Sequence, residues 1–450
     1  MLFQALIICL LSCIFYYRFF HPLSKYPGPF LASFTNLWQV YHVLIGRRME
    51  SAEYELHHKY ARIPDHLTMM DPKYHAQRKK IVNHLYSTTF IAKSEKYIES
   101  VIELFFSRIK EFAASGETFD LMHWLQMFAY DAVGELFLSR KLGFLEHRGD
   151  FNGFIKTLHT AVPTFQAASH LDLYLRPFAM LLACISPEVR GAKRGVDQMG
   201  KDCKKYVEER YQALINGDPV REDFLTKVLQ IHLERGEEID LQLVDIQVEI
   251  FIPIFAGSDT TGITLCAILY HLLKSPQYLK KVKDELDNAV ATGLLPGEYV
   301  QYGDSIKLPY LHAVCREGMR IHPGAAARLP REVPRGGREI AGQFINEGVT
   351  VGTNPYVIHR NKQIFGEDAD EFNPERWFRP GNKEMDSHFQ TVSLFEVYKL
   401  IPQLLLSFDF ELDEPEKEWD IWTYGFFKPQ GLRVRVKETS PQDVDGARRD

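Results

Sequence analysis

Cysteine is scarce in this sequence and stops early. The 450 residues hold six, Cys9, Cys13, Cys184, Cys203, Cys266 and Cys315, and residues 316 to 450 hold none. No two form a C-x-x-C pair, which argues against a zinc ribbon or a thioredoxin-like site, and six are too few for a disulfide scaffold. A basic surplus is lacking too: 53 Lys and Arg face 59 Asp and Glu, a net charge of −6. With an isoelectric point near 6.3, no nucleic-acid partner is expected. No N-x-[ST] sequon, G-x-G-x-x-G, Walker A, H-E-x-x-H or G-x-S-x-G occurs. Dinucleotide folds, kinases, zinc proteases and serine hydrolases therefore lose their usual support. The composition that remains, 45% hydrophobic and 25% charged, is that of a globular protein and not of a disordered, collagen-like or polytopic membrane one.

Met1 to Tyr17 is uncharged and mostly apolar, and Arg18, Lys25, Arg47 and Arg48 all follow it. At about 1.5 Å rise per residue this run reaches the short end of a spanning helix. No basic n-region precedes it and no A-x-A-like site closes it, which disfavours a cleaved signal peptide. The expectation is a transmembrane signal anchor over residues 1–20, with the bulk of the chain on the cytosolic side by the positive-inside bias. A buried apolar helix is the alternative. Pro22, Pro27, Gly28 and Pro29 cannot continue a helix, so residues 21–30 read as a Pro-rich hinge or spacer. A single domain is expected over 31–437 and a polar tail over 438–450.

Within that domain helical periodicity dominates. Ser94 to Ala113, Phe119 to Ser139, Gly200 to Ile215, Leu241 to Lys274 and Gln277 to Ala291 read as helices. Glu339 to Ile345, Val349 to Val351 and Leu432 to Val436 read as strands. The fold class is mainly α with a minor β component. Ile250 to Leu273 carries one charge, Asp259. It is long enough to span a membrane, but a central aspartate costs about 2.5–3.5 kcal/mol there, so a helix buried in a large protein is the preferred reading. Ala256 and Gly257 leave its backbone bare to a flat ligand. Asp259 beside Thr260 places an acid and an alcohol where protons can be passed singly; a polar kink without chemistry is the alternative.

Ala256-Gly257-Ser258-Asp259-Thr260-Thr261 resembles the oxygen-binding kink in the central helix of the cytochrome P-450 superfamily, the haem-thiolate monooxygenases. Further pieces follow in that family's order. Glu317-Gly318-Met319-Arg320 is similar to its E-x-x-R, and Phe372-Asn373-Pro374-Glu375-Arg376-Trp377 to its P-E-R-F/W segment. His21 to Pro29 resembles the hinge of fungal microsomal members, and Asp71 to Lys80 resembles the basic helix facing the haem propionates. The likeness points to the pisatin-demethylase-like or benzoate-hydroxylase-like fungal branch. It implies a single large domain behind an anchor in the endoplasmic reticulum membrane, with the catalytic part cytosolic. It also implies haem b, O2, electrons from an NADPH-dependent reductase, and a small hydrophobic organic substrate of secondary metabolism or aromatic degradation. By resemblance, Asp259 and Thr260 relay protons and Ala256 and Gly257 form the oxygen-binding kink. Glu317, Arg320 and Arg376 lock the fold, and His75, Lys79 and Arg331 hold the haem propionates. Taken alone, Glu317 and Arg320 would read as a solvated pair at i and i+3, and the basic helix as a solvated face.

The chain also departs from the family. The haem ligand is expected in F-x-x-G-x-R-x-C-x-G, yet here His388-Phe389-Gln390 runs into Thr391-Val392-Ser393 with no cysteine between Gln390 and Ser393. A second gap lies near Ile63-Pro64, where the first strands should stand. The expectation is a haem-dependent monooxygenase with two internal segments missing and therefore impaired, since thiolate donation is what favours O–O cleavage in this class. The alternative is a haem-free pseudoenzyme, or a truncated gene model, that binds a ligand or partner.

Overall fold

The structure is a computed structural model. It describes residues 79–150, 152–171, 185–381 apart from 297 and 327, 383, 385, 386, 389 and 395–439 apart from 424–426, with 12, 15, 16, 40 and 41. The expected hinge, the gap near 63–64, the segment 390–394 and His75 lie outside the described residues, as does nearly all of the expected anchor.

Nine long helices carry the described body: α1 Glu95–Ser115, α2 Leu121–Leu138, α3 Phe154–His170, α4 Pro187–Asn216, α5 Phe224–Arg235, α6 Leu243–Leu273, α7 Pro276–Ala291, α8 Pro309–Ile321 and α9 Phe395–Ser407. Their starts are written locally. The Asp120 side chain accepts from the Met122 amide and caps α2, and the Asp223 side chain accepts from the Thr226 amide and caps α5. Ser186 caps α4 ahead of a proline at its first turn, where the missing N–H costs nothing. That cap carries α4 back well before Gly200, the start expected from periodicity. Gly116 and Gly217, both at positive φ, end α1 and α4.

The strands are short. β1 Phe119–Asp120, β9 Arg433–Glu438 and β6 Phe408–Leu412 form one sheet in the order β1-β9-β6. β2 Leu329–Glu332 pairs with β5 Thr350–Thr353, β3 Arg338–Ile340 with β4 Gln343–Ile345, and β7 Asp420–Thr423 with β8 Phe427–Gln430, all antiparallel. The expected single strand over Glu339 to Ile345 is thus a hairpin. Ala341 at φ 45° and Gly342 at φ 74° make its two-residue turn. Phe119, expected to open a helix, instead pairs with Val434.

One large core gathers α1, α2, α6, α8 and α9. Nearly every residue of α2 is buried. Helix α6 is long and apolar enough to cross a membrane, but 81% of its most apolar window lies inside the body, which is how a core helix behaves. Gly262 lets α2 come close: a Cβ there would sit 3.1 Å from the Gln126 Cα.

Candidate active site

The site is built on the middle of α6, and its alcohols turn back on their own helix. Ser258 Oγ donates to the Ile254 carbonyl at 3.2 Å. Thr260 Oγ1 donates to the Ala256 carbonyl at 3.1 Å and the Gly257 carbonyl at 3.3 Å. Thr264 Oγ1 donates to the Thr260 carbonyl at 2.8 Å. Such back-bonding competes with the helical ladder and bends a helix. Ala256 is exposed, and a Cβ on Gly257 would meet only Val133 at 3.7 Å. That bare wall fits a flat ligand.

Asp259 engages other helices. Its Oδ1 accepts from Gln126 Nε2 at 2.5 Å and from Tyr130 Oη at 3.1 Å. Gln126 and Tyr130 are one turn apart on α2. His159 of α3 brings Nε2 to 3.7 Å from Asp259 Oδ2 and to 3.0 Å from Gln126 Nε2. Burial pushes the Asp259 carboxyl above its usual range, and the Gln126 and Tyr130 bonds only partly offset it. Burial, with the nearby Lys428 charge, pushes His159 down to about 3, so it is neutral at pH 7. Among the described residues no hydrogen bond joins Asp259 to Thr260: the acid and the alcohol sit side by side in sequence but bond to different partners.

Glu317, Arg320 and Arg376 meet in the interior, so Glu317 and Arg320 are not a solvated pair. Glu317, Arg320 and Arg376 are each 0% exposed. Arg320 grips both oxygens of Glu317 through Nε and Nη2, each at 2.9 Å, and Arg376 Nε reaches Oε1 at 2.9 Å. Trp377 Nε1 and the Asn373 amide donate to the same carboxylate. The guanidiniums also bind main-chain carbonyls: Arg320 those of His359, Ala369 and Glu371, Arg376 those of Phe365, Asp368 and Glu371. Burial alone would raise the Glu317 carboxyl, but the two arginines hold it below the usual range. This set ties α8 to the chain from 359 to 377.

Two further sequence-predicted residues are described. Lys79 stands exposed in the first described turn. Arg331 lies half-buried in β2, where Nη1 donates to the Pro330 carbonyl at 2.6 Å. The partners Gln126, Tyr130 and His159 escaped sequence reasoning; Gln126 and Tyr130 are polar positions one turn apart on the largely apolar α2, and His159 on α3 carries no such signal.

Among the described residues, the cysteines do not fit a thiolate-ligated haem, the cofactor that the resemblance implies. Cys203, Cys266 and Cys315 are buried. Burial pushes the Cys203 thiol to about 12 and raises those of Cys266 and Cys315, so all three are protonated thiols. Each sits within a helix, α4, α6 and α8, and none in the approach to α9. The bare wall at Ala256 suits the group; the donor set does not.

Comparison with known proteins gives the family. The cytochrome P450 family model matches residues 33–392. The cytochrome P450 monooxygenase gsfF of Penicillium aethiopicum is 32% identical over 484 aligned positions, covering 95% of this chain and 96% of that protein. That alignment is longer than the 450 residues present here, so the relative holds residues that this chain lacks. ACRTS1, a cytochrome P450 monooxygenase of Alternaria alternata, is 34% identical over 81% of this chain and its own full length. A pisatin demethylase of Fusarium vanettenii is 28% identical over 92% of this chain and 90% of its own. With a family match over residues 33–392 and a relative 32% identical along nearly its whole length, the chain belongs to the cytochrome P450 family.

Proposed function

We propose that this chain is a membrane-anchored monooxygenase of its family that, in its 450-residue form, lacks its metal ligand and is impaired. The reaction the fold serves inserts one oxygen atom from O2 into a small hydrophobic organic substrate, in secondary metabolism or aromatic degradation. Electrons come from an NADPH-dependent reductase, and the anchor over 1–20 holds the body at the cytosolic face of the endoplasmic reticulum. Asp259 and Thr260 handle protons, Ala256 and Gly257 leave room for the flat cofactor, and His75, Lys79 and Arg331 meet its propionates. Glu317, Arg320 and Arg376 serve the fold.

One observation carries the reading: the lock and the acid–alcohol pair are complete, while residues 316–450 contain no cysteine. A family match that stops at Val392 and an alignment longer than the chain support missing internal segments, near 63–64 and 390–392. The same gap favours a second reading, a haem-free protein that binds a ligand or partner. The test is the absorbance of the purified, reduced chain under carbon monoxide. No red-shifted Soret band of a thiolate-ligated haem is expected; its appearance would overturn the claim that the ligand is missing.

A further inference from the structure

The carboxyl of Asp259 is held by a small machine of three side chains, and its hydrogen-bond arithmetic constrains where protons can sit. We infer that the Gln126 amide is a switch between Asp259 and His159, with Tyr130 as a fixed second donor. In the arrangement observed, Gln126 offers its one nitrogen to both neighbours, at 2.5 Å to Asp259 Oδ1 and 3.0 Å to His159 Nε2. An amide nitrogen has two hydrogens and no lone pair to offer, so both neighbours must accept. His159 Nε2 is therefore bare, and the ring carries its hydrogen on Nδ1. Asp259 Oδ1 is bare as well.

If His159 takes a proton on Nε2, it becomes a donor facing a donor. The Gln126 amide must then rotate to present its oxygen. That oxygen would face Asp259 Oδ1 at the same short distance, which is repulsive unless Asp259 is itself protonated or turns to meet the protonated ring through Oδ2, 3.7 Å from His159 Nε2. Every proton taken up comes from solvent, and no electron moves. The geometry thus couples the two acids through one amide flip. His159 is the outer member, on α3, and Asp259 the inner. Lys428 of β8 acts on both groups, while Asp150 and His123 act on His159 alone. Gly262 fixes the register, since it sets α6 directly on the Gln126 backbone. Gln126, Tyr130 and His159 are positioning residues; they act through Asp259.

This inference rests on the reading of Asp259 as the acid of the site, but its test does not use the cofactor. The full chain is labelled with 15N-histidine, and His159→Gln assigns the His159 signals. At pH 7 the His159 ring is expected neutral with its hydrogen on Nδ1. Gln126→Glu replaces the donor by a permanent acceptor; the His159 titration midpoint should rise by about two pH units, at an unchanged far-ultraviolet spectrum. Gln126→Leu removes the donor without adding charge and should release the Nδ1–H preference. A native ring with its hydrogen on Nε2, or a ring unmoved by Gln126→Leu, overturns the proposal. If the glutamate variant does not fold, the native tautomer and the leucine variant still decide. The carbon monoxide spectrum is read separately, so either result leaves the other standing.

Discussion

Glu317 is a single carboxylate on which two buried cations depend. Gln in its place keeps the shape but strips the charge, leaving Arg320 and Arg376 uncompensated in the interior. Breaking one partner of a buried pair costs about 3–5 kcal/mol, so Glu317→Gln should lower the chemical-denaturation free energy by that amount; a loss under about 1 kcal/mol would refute the locking role. The pH dependence has a definite sign. The folded carboxyl lies below its usual range, so its contribution is present above that range and is lost as pH falls through the lowered value. Much of this residue-scale picture was legible. Glu317 and Arg320 share a helix face by their spacing, and Arg376 joined them through the family motif. Asp259 was legible as an acid but not in its contacts, because Gln126 lies 133 residues earlier and no local pattern predicts which apolar helix will cross α6.

At the scale of elements, α6 and α8 end on each other through two histidines. His271, in the last turn of α6, stacks on His322, just after α8, with ring centroids 5.1 Å apart. Phe372 covers His271, and Trp419 and Phe427 meet His322 edge-on. Neither His271 Nε2 nor His322 Nδ1 has a hydrogen-bond partner among the described residues. Burial pushes His271 down to about 3 and His322 well below its usual value, with Arg360 and Arg320 adding to it; Glu317 and Glu418 pull His271 the other way. Both rings are neutral when folded, so below the ordinary pH of about 6.5 the unfolded chain binds more protons and stability falls. Each ring adds a slope of about 1.4 kcal/mol per pH unit. His322→Phe keeps the aromatic packing and removes one titration. At pH 5 it should gain about 2 kcal/mol relative to its effect at pH 8, read by denaturation at both values; an equal effect at the two would exclude the titration. Here the sequence was less forthcoming. Long apolar α6 was legible, but α3 was hidden by Pro163 inside it, and the β3–β4 hairpin by an Ala-Gly turn that no strand pattern marks.

At the scale of the whole molecule, two helices three hundred residues apart in the chain are bound to each other. Lys399 of α9 is 1% exposed and reaches Glu95 at 3.1 Å and Glu99 at 3.2 Å on α1, with the Val300 carbonyl at 3.2 Å. So the region just past the expected ligand loop is fastened to the first long helix. The packing of the described residues after the expected gap supports the proposal of lost segments over gradual decay. Sequencing of transcripts across the codons for Gln390-Thr391 and Ile63-Pro64 should recover longer forms, one restoring a cysteine before Ser393; transcripts that all match the present chain would favour the haem-free reading. Helical periodicity made one α-rich body legible, but pairings three hundred residues apart were not, because periodicity carries no record of which surfaces meet.

The sheet order β1-β9-β6 has a consequence for how the protein is made. Phe119 and Asp120 pair with Val434 and Arg433, so the strand that opens α2 waits unpaired until residue 434 has left the ribosome. At about 5–20 residues per second that wait lasts tens of seconds, while α1, α2 and α6, all made by residue 273, can already pack on one another. A nascent chain arranged this way closes this sheet only when β9 arrives, so losing β9 would take the shared partner of β1 and β6 together.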